Sequence, residues 1–77
     1  MNKITLKRIR EDCRMTRKEV AEKVGLSERA IAQYEQGTRS PSIDTVLVLA
    51  HLYGESAEDI IVAVVNSRQR ARGDSQH

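Results

Sequence analysis

A chain of 77 residues with one cysteine has no intrachain disulfide and makes one small domain, burying only about 60% of the surface its unfolded form exposes. The lone Cys13 fits a reducing cytoplasm and excludes a cysteine-based metal site. No window approaches the roughly 18 apolar residues of a membrane span, and Met1 to Ile9 lacks the apolar stretch of a signal peptide.

The net charge of +2 is unevenly spread. Lys3, Lys7, Arg8, Arg10, Arg14, Arg17 and Lys18 face only Glu11 and Asp12 within residues 1–18, whereas residues 41–65 hold Asp44, Glu55, Glu58 and Asp59 with no cation. A basic first part and an acidic later part suit a polyanion that meets one face and not the other.

Leu6, Ile9 and Cys13 recur at spacings of three and four, which predicts a first helix over about Leu6 to Arg14 with Cys13 in the core. Thr16-Arg17-Lys18-Glu19 reads as a capping box, the Thr16 hydroxyl accepting from the Glu19 N–H while the Glu19 carboxylate reaches back to Thr16. Val20, Ala21 and Val24 supply the apolar face of this second helix, and Gly25 ends it. Ser27 caps a third helix that runs to Gln36 and stops at Gly37. Thr38-Arg39-Ser40-Pro41 is a loop, and Ser42 caps a fourth helix with Asp44 in its first turn. Val46, Leu49, Ala50 and Tyr53 make its inward stripe, closed by Gly54. Ser56 caps a fifth helix with Glu58 and Asp59 at its start and Ile60, Ile61, Val64 and Val65 along it. From Asn66 onward the chain is polar and arginine-bearing with no apolar stripe. That pattern predicts a basic, disordered tail over residues 66–77 after a domain at residues 1–65.

The stretch from Arg17 to Gly37 carries the functional signal. Two short helices joined by a glycine-containing turn of about three residues form a helix-turn-helix. Ala21 is small where the two helices must approach, and Leu26, Ile31 and Tyr34 are expected to point inward. The outer face of the third helix is then Glu28, Arg29, Ala32, Gln33 and Gln36, a stripe without a large apolar side chain. One bare α-helix fits the major groove of duplex DNA. There Arg29 can fork onto guanine O6 and N7, Gln33 onto adenine N7 and N6, and Glu28 can accept from cytosine N4. Ser27 and the free N–H groups at the helix start suit a phosphate or a base edge. Any single one of these residues also fits an ordinary solvated face; the stripe and the turn together point to DNA.

Thr16-Arg17-Lys18-Glu19-Val20-Ala21-Glu22-Lys23-Val24-Gly25-Leu26-Ser27 resembles the T-x-x-x-[LV]-A-x-x-[LV]-G-[LV]-S pattern of Cro/lambda-repressor-like, or XRE-type, regulators. Ile31 to Ser42 resembles their I-x-x-[YWIL]-E-x-G-x-R-x-P-S segment. The resemblance implies an all-α, five-helix, lambda-repressor-like DNA-binding domain of a bacterial or phage regulator, cytoplasmic and nucleoid-associated, without catalytic activity. It implies base contacts from Ser27, Glu28, Arg29 and Gln33, and phosphate contacts from Thr16, Arg17, Gln36, Thr38 and Arg39. Many members carry Gln where Arg17 stands; Arg keeps a phosphate contact with more charge and less directional precision. Glu28 sits at a cost near phosphates and reads as a device that rejects sites lacking a suitable donor.

No catalytic motif, metal cluster or cofactor site is expected: His51 and His77 are isolated, and no nucleophile motif or glycine-rich phosphate loop is present. With no Trp or Phe, and both tyrosines at core positions, the exposed stacking aromatics of single-strand or RNA binding are missing. No separate sensing domain fits in this length, so a small-molecule ligand is not expected.

The apolar run Ile60 to Val65 exceeds what a thin bundle can turn inward, and Leu47, Val48 and Leu52 exceed their helix's inward stripe. This is either a fuller core with scattered exposed aliphatics or a two-fold homodimer interface. In the second case part of Ile60, Ile61, Val62, Val64 and Val65 meets a second copy. A dimer predicts an inverted-repeat operator with half-sites about 34–36 Å apart. The functional expectation is a repressor-type transcriptional regulator. The alternative is a protein-interaction module, such as an antitoxin or adaptor, working through helices four and five.

Overall fold

The computed structural model describes residues 4–75, with side chains described through residue 69. Its helices are α1 (Leu6–Asp12), α2 (Arg17–Val24), α3 (Glu28–Gln36), α4 (Ile43–Tyr53) and α5 (Ala57–Ser75), and the described residues contain no strand. A hydroxyl starts each helix. Thr5, Thr16, Ser27, Ser42 and Ser56 accept from the backbone N–H three residues on, at 3.0–3.2 Å, satisfying a donor that the helix itself leaves unpaired. At Thr16 the box is complete, because its own N–H donates to Glu19 Oε1 at 2.9 Å.

Helix α3 packs against both α2 and α5, α4 lies on α2 and α5, and α1 closes over α3 and α5. The core they enclose is Leu6 and Ile9 from α1, Val20 and Ala21 from α2, Ala30, Ile31 and Tyr34 from α3, Val46, Leu49, Ala50 and Tyr53 from α4, and Ile60, Ala63 and Val64 from α5. Val20 and Ile60 are completely buried, and each contributes about 1.5–3 kcal/mol by leaving water. No helix among the described residues is long and apolar enough to cross a membrane.

The structure departs from the sequence reading in several places. α1 ends at Asp12 rather than Arg14, with Cys13 as its cap and Arg14 at φ +58°. Cys13 keeps helical backbone angles but does not lie in the core. The residue is exposed, its Sγ lying 3.7 Å from the Tyr53 carbonyl oxygen. Leu26 is not an inward anchor. It is 36% exposed, because it lies at the rim of the turn between the Gly25 cap and the Ser27 cap.

The chain also does not leave the packed body at Val65. α5 continues to Ser75, and Ser67 is 2% exposed. A polar residue extends the buried stripe because it is small and its hydroxyl donates to the Ala63 carbonyl at 2.8 Å, so no polar atom is stranded. Asn66 Nδ2 donates to the Ile4 carbonyl at 2.8 Å. The tail expectation for residues 76 and 77, His77 included, lies outside the described residues.

Candidate nucleic-acid interface

Gly25 ends α2 in the left-handed conformation, φ +74°, and the Leu26 N–H returns to the Ala21 carbonyl at 3.0 Å. This tight cap lets Ser27 start α3 two residues later. Ala30, Ile31 and Tyr34 then anchor α3 in the core. What they leave outside is the expected stripe. Glu28, Arg29 and Gln36 are exposed, while Ala32 and Gln33 are half-buried. Ser27 is exposed, with its oxygen committed to the Ala30 N–H at 3.0 Å and its hydroxyl proton free to donate elsewhere.

The residues expected at phosphates lie at the ends of α2 and α3. Thr16 and Arg17 stand at the start of α2, with the free N–H groups of its first turn; Thr16 is exposed and Arg17 half-buried. Gln36, Thr38 and Arg39 are exposed at the end of α3 and in the loop beyond it. The Thr38 hydroxyl donates to the Gln33 carbonyl at 3.4 Å, and the Arg39 guanidinium carbon sits 5.7 Å from the Tyr34 ring centroid. An arginine over an aromatic face keeps its charge while losing some of its freedom.

Of the five residues considered for a homodimer face, Ile60 and Val64 are removed by their burial in the chain's own core, at 0% and 8% exposure. They fill the space between α5 and the body. Ile61 and Val62 remain outward at 46% and 43%, and Val65 is half-buried. Leu47 and Val48 on α4 are exposed as well, and Leu52 packs partly against the core.

Sequence reasoning missed the polar cluster behind α3. The Glu35 side chain, 3% exposed, accepts from Arg10 Nε at 2.6 Å, Arg10 Nη2 at 3.2 Å and Arg17 Nε at 3.1 Å. Arg10 Nη1 also donates to the Met15 carbonyl at 2.8 Å. One carboxylate therefore ties α1 and the start of α2 to α3. Its hydrogen bonds hold the Arg10 guanidinium above its usual value despite the opposing effect of burial. The signal was present in the spacing: Glu35 follows Ile31 and Tyr34 by four and one, and Arg10 follows Leu6 and Ile9 by the same intervals. Opposite charges on two inward stripes need each other.

Among the described residues no three His, Cys, Asp or Glu side chains converge as a metal site requires.

Residues 6–60 match the helix-turn-helix family. The chain is similar to the HTH-type transcriptional regulator ImmR of Bacillus subtilis (strain 168). The two are 36% identical over 56 residues, which are 73% of this chain and 44% of that protein. It is also similar to the uncharacterized HTH-type transcriptional regulator YobD of the same organism, 30% identical over 56 residues, 73% of this chain and 50% of that protein. The chain spans about half the length of these curated relatives or less. No solved structure gives a significant match.

Proposed function

The chain belongs to the helix-turn-helix family, and on that premise we propose that it is a transcriptional regulator that reads duplex DNA with α3 in the major groove. The observation that carries this reading is the division of α3. Ala30, Ile31 and Tyr34 lock one side into the core while Glu28, Arg29, Gln33 and Gln36 form the other, with no large apolar side chain among them. Such a helix presents donors and acceptors to base edges in a fixed orientation.

In this reading Ser27, Glu28, Arg29 and Gln33 contact bases, and Thr16, Arg17, Gln36, Thr38 and Arg39 contact phosphates. The phosphate contacts set register and supply most of the affinity; the base contacts supply the preference among sequences. Arg17 gives one N–H to Glu35 and keeps the rest for a phosphate oxygen. The protein acts in the cytoplasm, at the nucleoid, as a repressor that occupies an inverted-repeat operator as a homodimer, with no cofactor or small ligand. Support for the dimer comes from Ile61 and Val62 on α5 and Leu47 and Val48 on α4, which the core leaves exposed.

Those same residues favour a second reading, in which α4 and α5 bind a different protein in the manner of an antitoxin or adaptor. Selection from a random pool of duplex DNA separates the two. Recovery of an inverted repeat with half-sites about one helical turn apart supports the dimeric regulator. Its loss in Arg29→Ala with Gln33→Ala, with folding intact, assigns the readout to α3. Absence of any enrichment makes protein interaction the leading function.

A further inference from the structure

The middle of α5, at Ser67 and Arg68, reaches the loop between α3 and α4. Gly37, at φ +80°, is seated against the backbone of Ser67: a Cβ there would run into the Ser67 carbonyl oxygen and lie 2.8 Å from its carbon. Three residues on, Ser40 Oγ accepts from Arg68 Nη1 at 3.0 Å. Arg68 is exposed. Among the described residues neither Arg68 nor Arg39 has a carboxylate within ion-pair distance. The matched family segment stops at residue 60, so this contact is built by sequence beyond it.

We propose that Arg68 is a further DNA-phosphate ligand, held against the α3–α4 loop by Ser40 so that α5 and the loop bind one sugar-phosphate backbone together. The inference rests on the reading above that Thr38 and Arg39 meet that backbone, and it extends the site to an element from the other end of the domain. The chemistry is that of an arginine with donors to spare. A guanidinium carries five N–H groups in a rigid fork, and the bond to Ser40 uses one of them. The buried Ser67 and the Asn66 bond to Ile4 fix the helix turn that carries Arg68, so the cation is placed before DNA arrives. The sequence around it favours an anion, since residues 66–75 contain Arg68, Arg70 and Arg72 against Asp74 alone.

The test is a fluorescence titration of the full chain with a labelled duplex of random sequence, over a series of salt concentrations. Non-specific affinity of this kind comes from phosphate contacts and reports them directly. Arg68→Ala is expected to weaken binding by about two- to fivefold and to reduce the slope of log affinity against log salt by about 0.9. Arg68→Lys is expected to keep the slope, and Ser40→Ala to leave it unchanged. Unaltered affinity and slope in Arg68→Ala, beside a wild-type chain that binds, overturn this inference and leave the DNA reading standing. A loss in Arg68→Ala that Ser40→Ala reproduces without a change of slope also overturns it, because Arg68 is then only a brace for the loop. A wild-type chain that retains no duplex overturns the DNA reading and this one with it.

Discussion

Glu35 grips Arg10 at two points, Nε at 2.6 Å and Nη2 at 3.2 Å, with side chains only 3% and 11% exposed. Removing one partner of such a pair strands the other charge away from water. Glu35→Gln is therefore expected to cost about 3–5 kcal/mol of folding stability. The Arg8–Asp12 pair, with side chains 58% and 68% exposed, should show the contrast, and Asp12→Asn is expected to cost less than about 0.5 kcal/mol. Urea denaturation of both variants decides it. Equal midpoints for the two would mean that the buried pair does not hold α1 to α3.

Acid sensitivity should trace partly to Glu19. The Thr16 N–H that donates to its carboxylate is the main reason its pKa lies below the usual 4.5. A folded-state pKa below the unfolded one means that the unfolded chain takes up the proton first as pH falls. The contribution is thus complete above 4.5 and disappears as pH falls from there through the folded value. The stability gap between wild type and Glu19→Gln should be largest near neutrality and shrink as pH falls through that window. A gap that stays constant into acid would show that the carboxylate charge plays no part in the cap.

Alkaline pH acts on Tyr53. Burial pushes the Tyr53 phenol well above its usual 10.0, and the nearby Glu35 charge pushes the same way. Because the folded pKa is raised, the contribution is complete below 10.0 and is lost as pH rises from there toward the folded value. Tyr53→Phe has no phenol to ionise and should flatten this alkaline decline in stability. A decline equally steep in both proteins would assign it to other groups.

The order and type of the helices were legible because all five starts and three of the ends are written in local chemistry: a hydroxyl cap at the start, and at Gly25, Gly37 and Gly54 a left-handed stop. The outward side of α3 was legible for the same reason, since Ile31 and Tyr34 declare which side faces in. Illegible were the features decided by tertiary contact. Cys13 has helical spacing from Leu6 and Ile9 and keeps that register, its N–H bonding to the Ile9 carbonyl, yet it is exposed at the end of α1. Ser67 looks like tail by hydropathy, yet it is buried because the loop at Gly37 lies on top of it. Ile60 and Ile61 are equally apolar, and only the packing of α5 on the body separates the core residue from the exposed one.

Two glycines with nearly the same backbone conformation should behave differently. Gly25 at φ +74° has open space where a Cβ would stand, so Gly25→Ala carries only the left-handed strain of about 1–2 kcal/mol. Gly37 at φ +80° carries that strain together with the collision against Ser67. Gly37→Ala is therefore expected to be clearly the more destabilising, and to loosen α5 beyond Val65. Hydrogen exchange at the amides of residues 66–69 is the measurement. Equal stability losses, with unchanged exchange there, would show that the loop does not need the close approach.

The dimer proposal makes its own demand on α5. Ile60 and Val62 are two residues apart, yet Ile60 is wholly buried and Val62 is 43% exposed. A charge at position 62 therefore meets solvent in a monomer and an apolar partner surface in a dimer. Val62→Glu should leave helix content and unfolding midpoint nearly unchanged while lowering the sedimentation coefficient to that of a monomer. In DNA selection it should still recover a half-site, but no longer the paired repeat, since α3 lies on a separate part of the chain. Ile60→Glu is the control, and should unfold the protein by placing an unpaired carboxylate in the core. A wild-type chain that already sediments as a monomer at about 10⁻⁵ M, where a dimer of useful affinity is formed, removes the homodimer from the proposal. The exposed residues of α4 and α5 would then be left to a different protein partner.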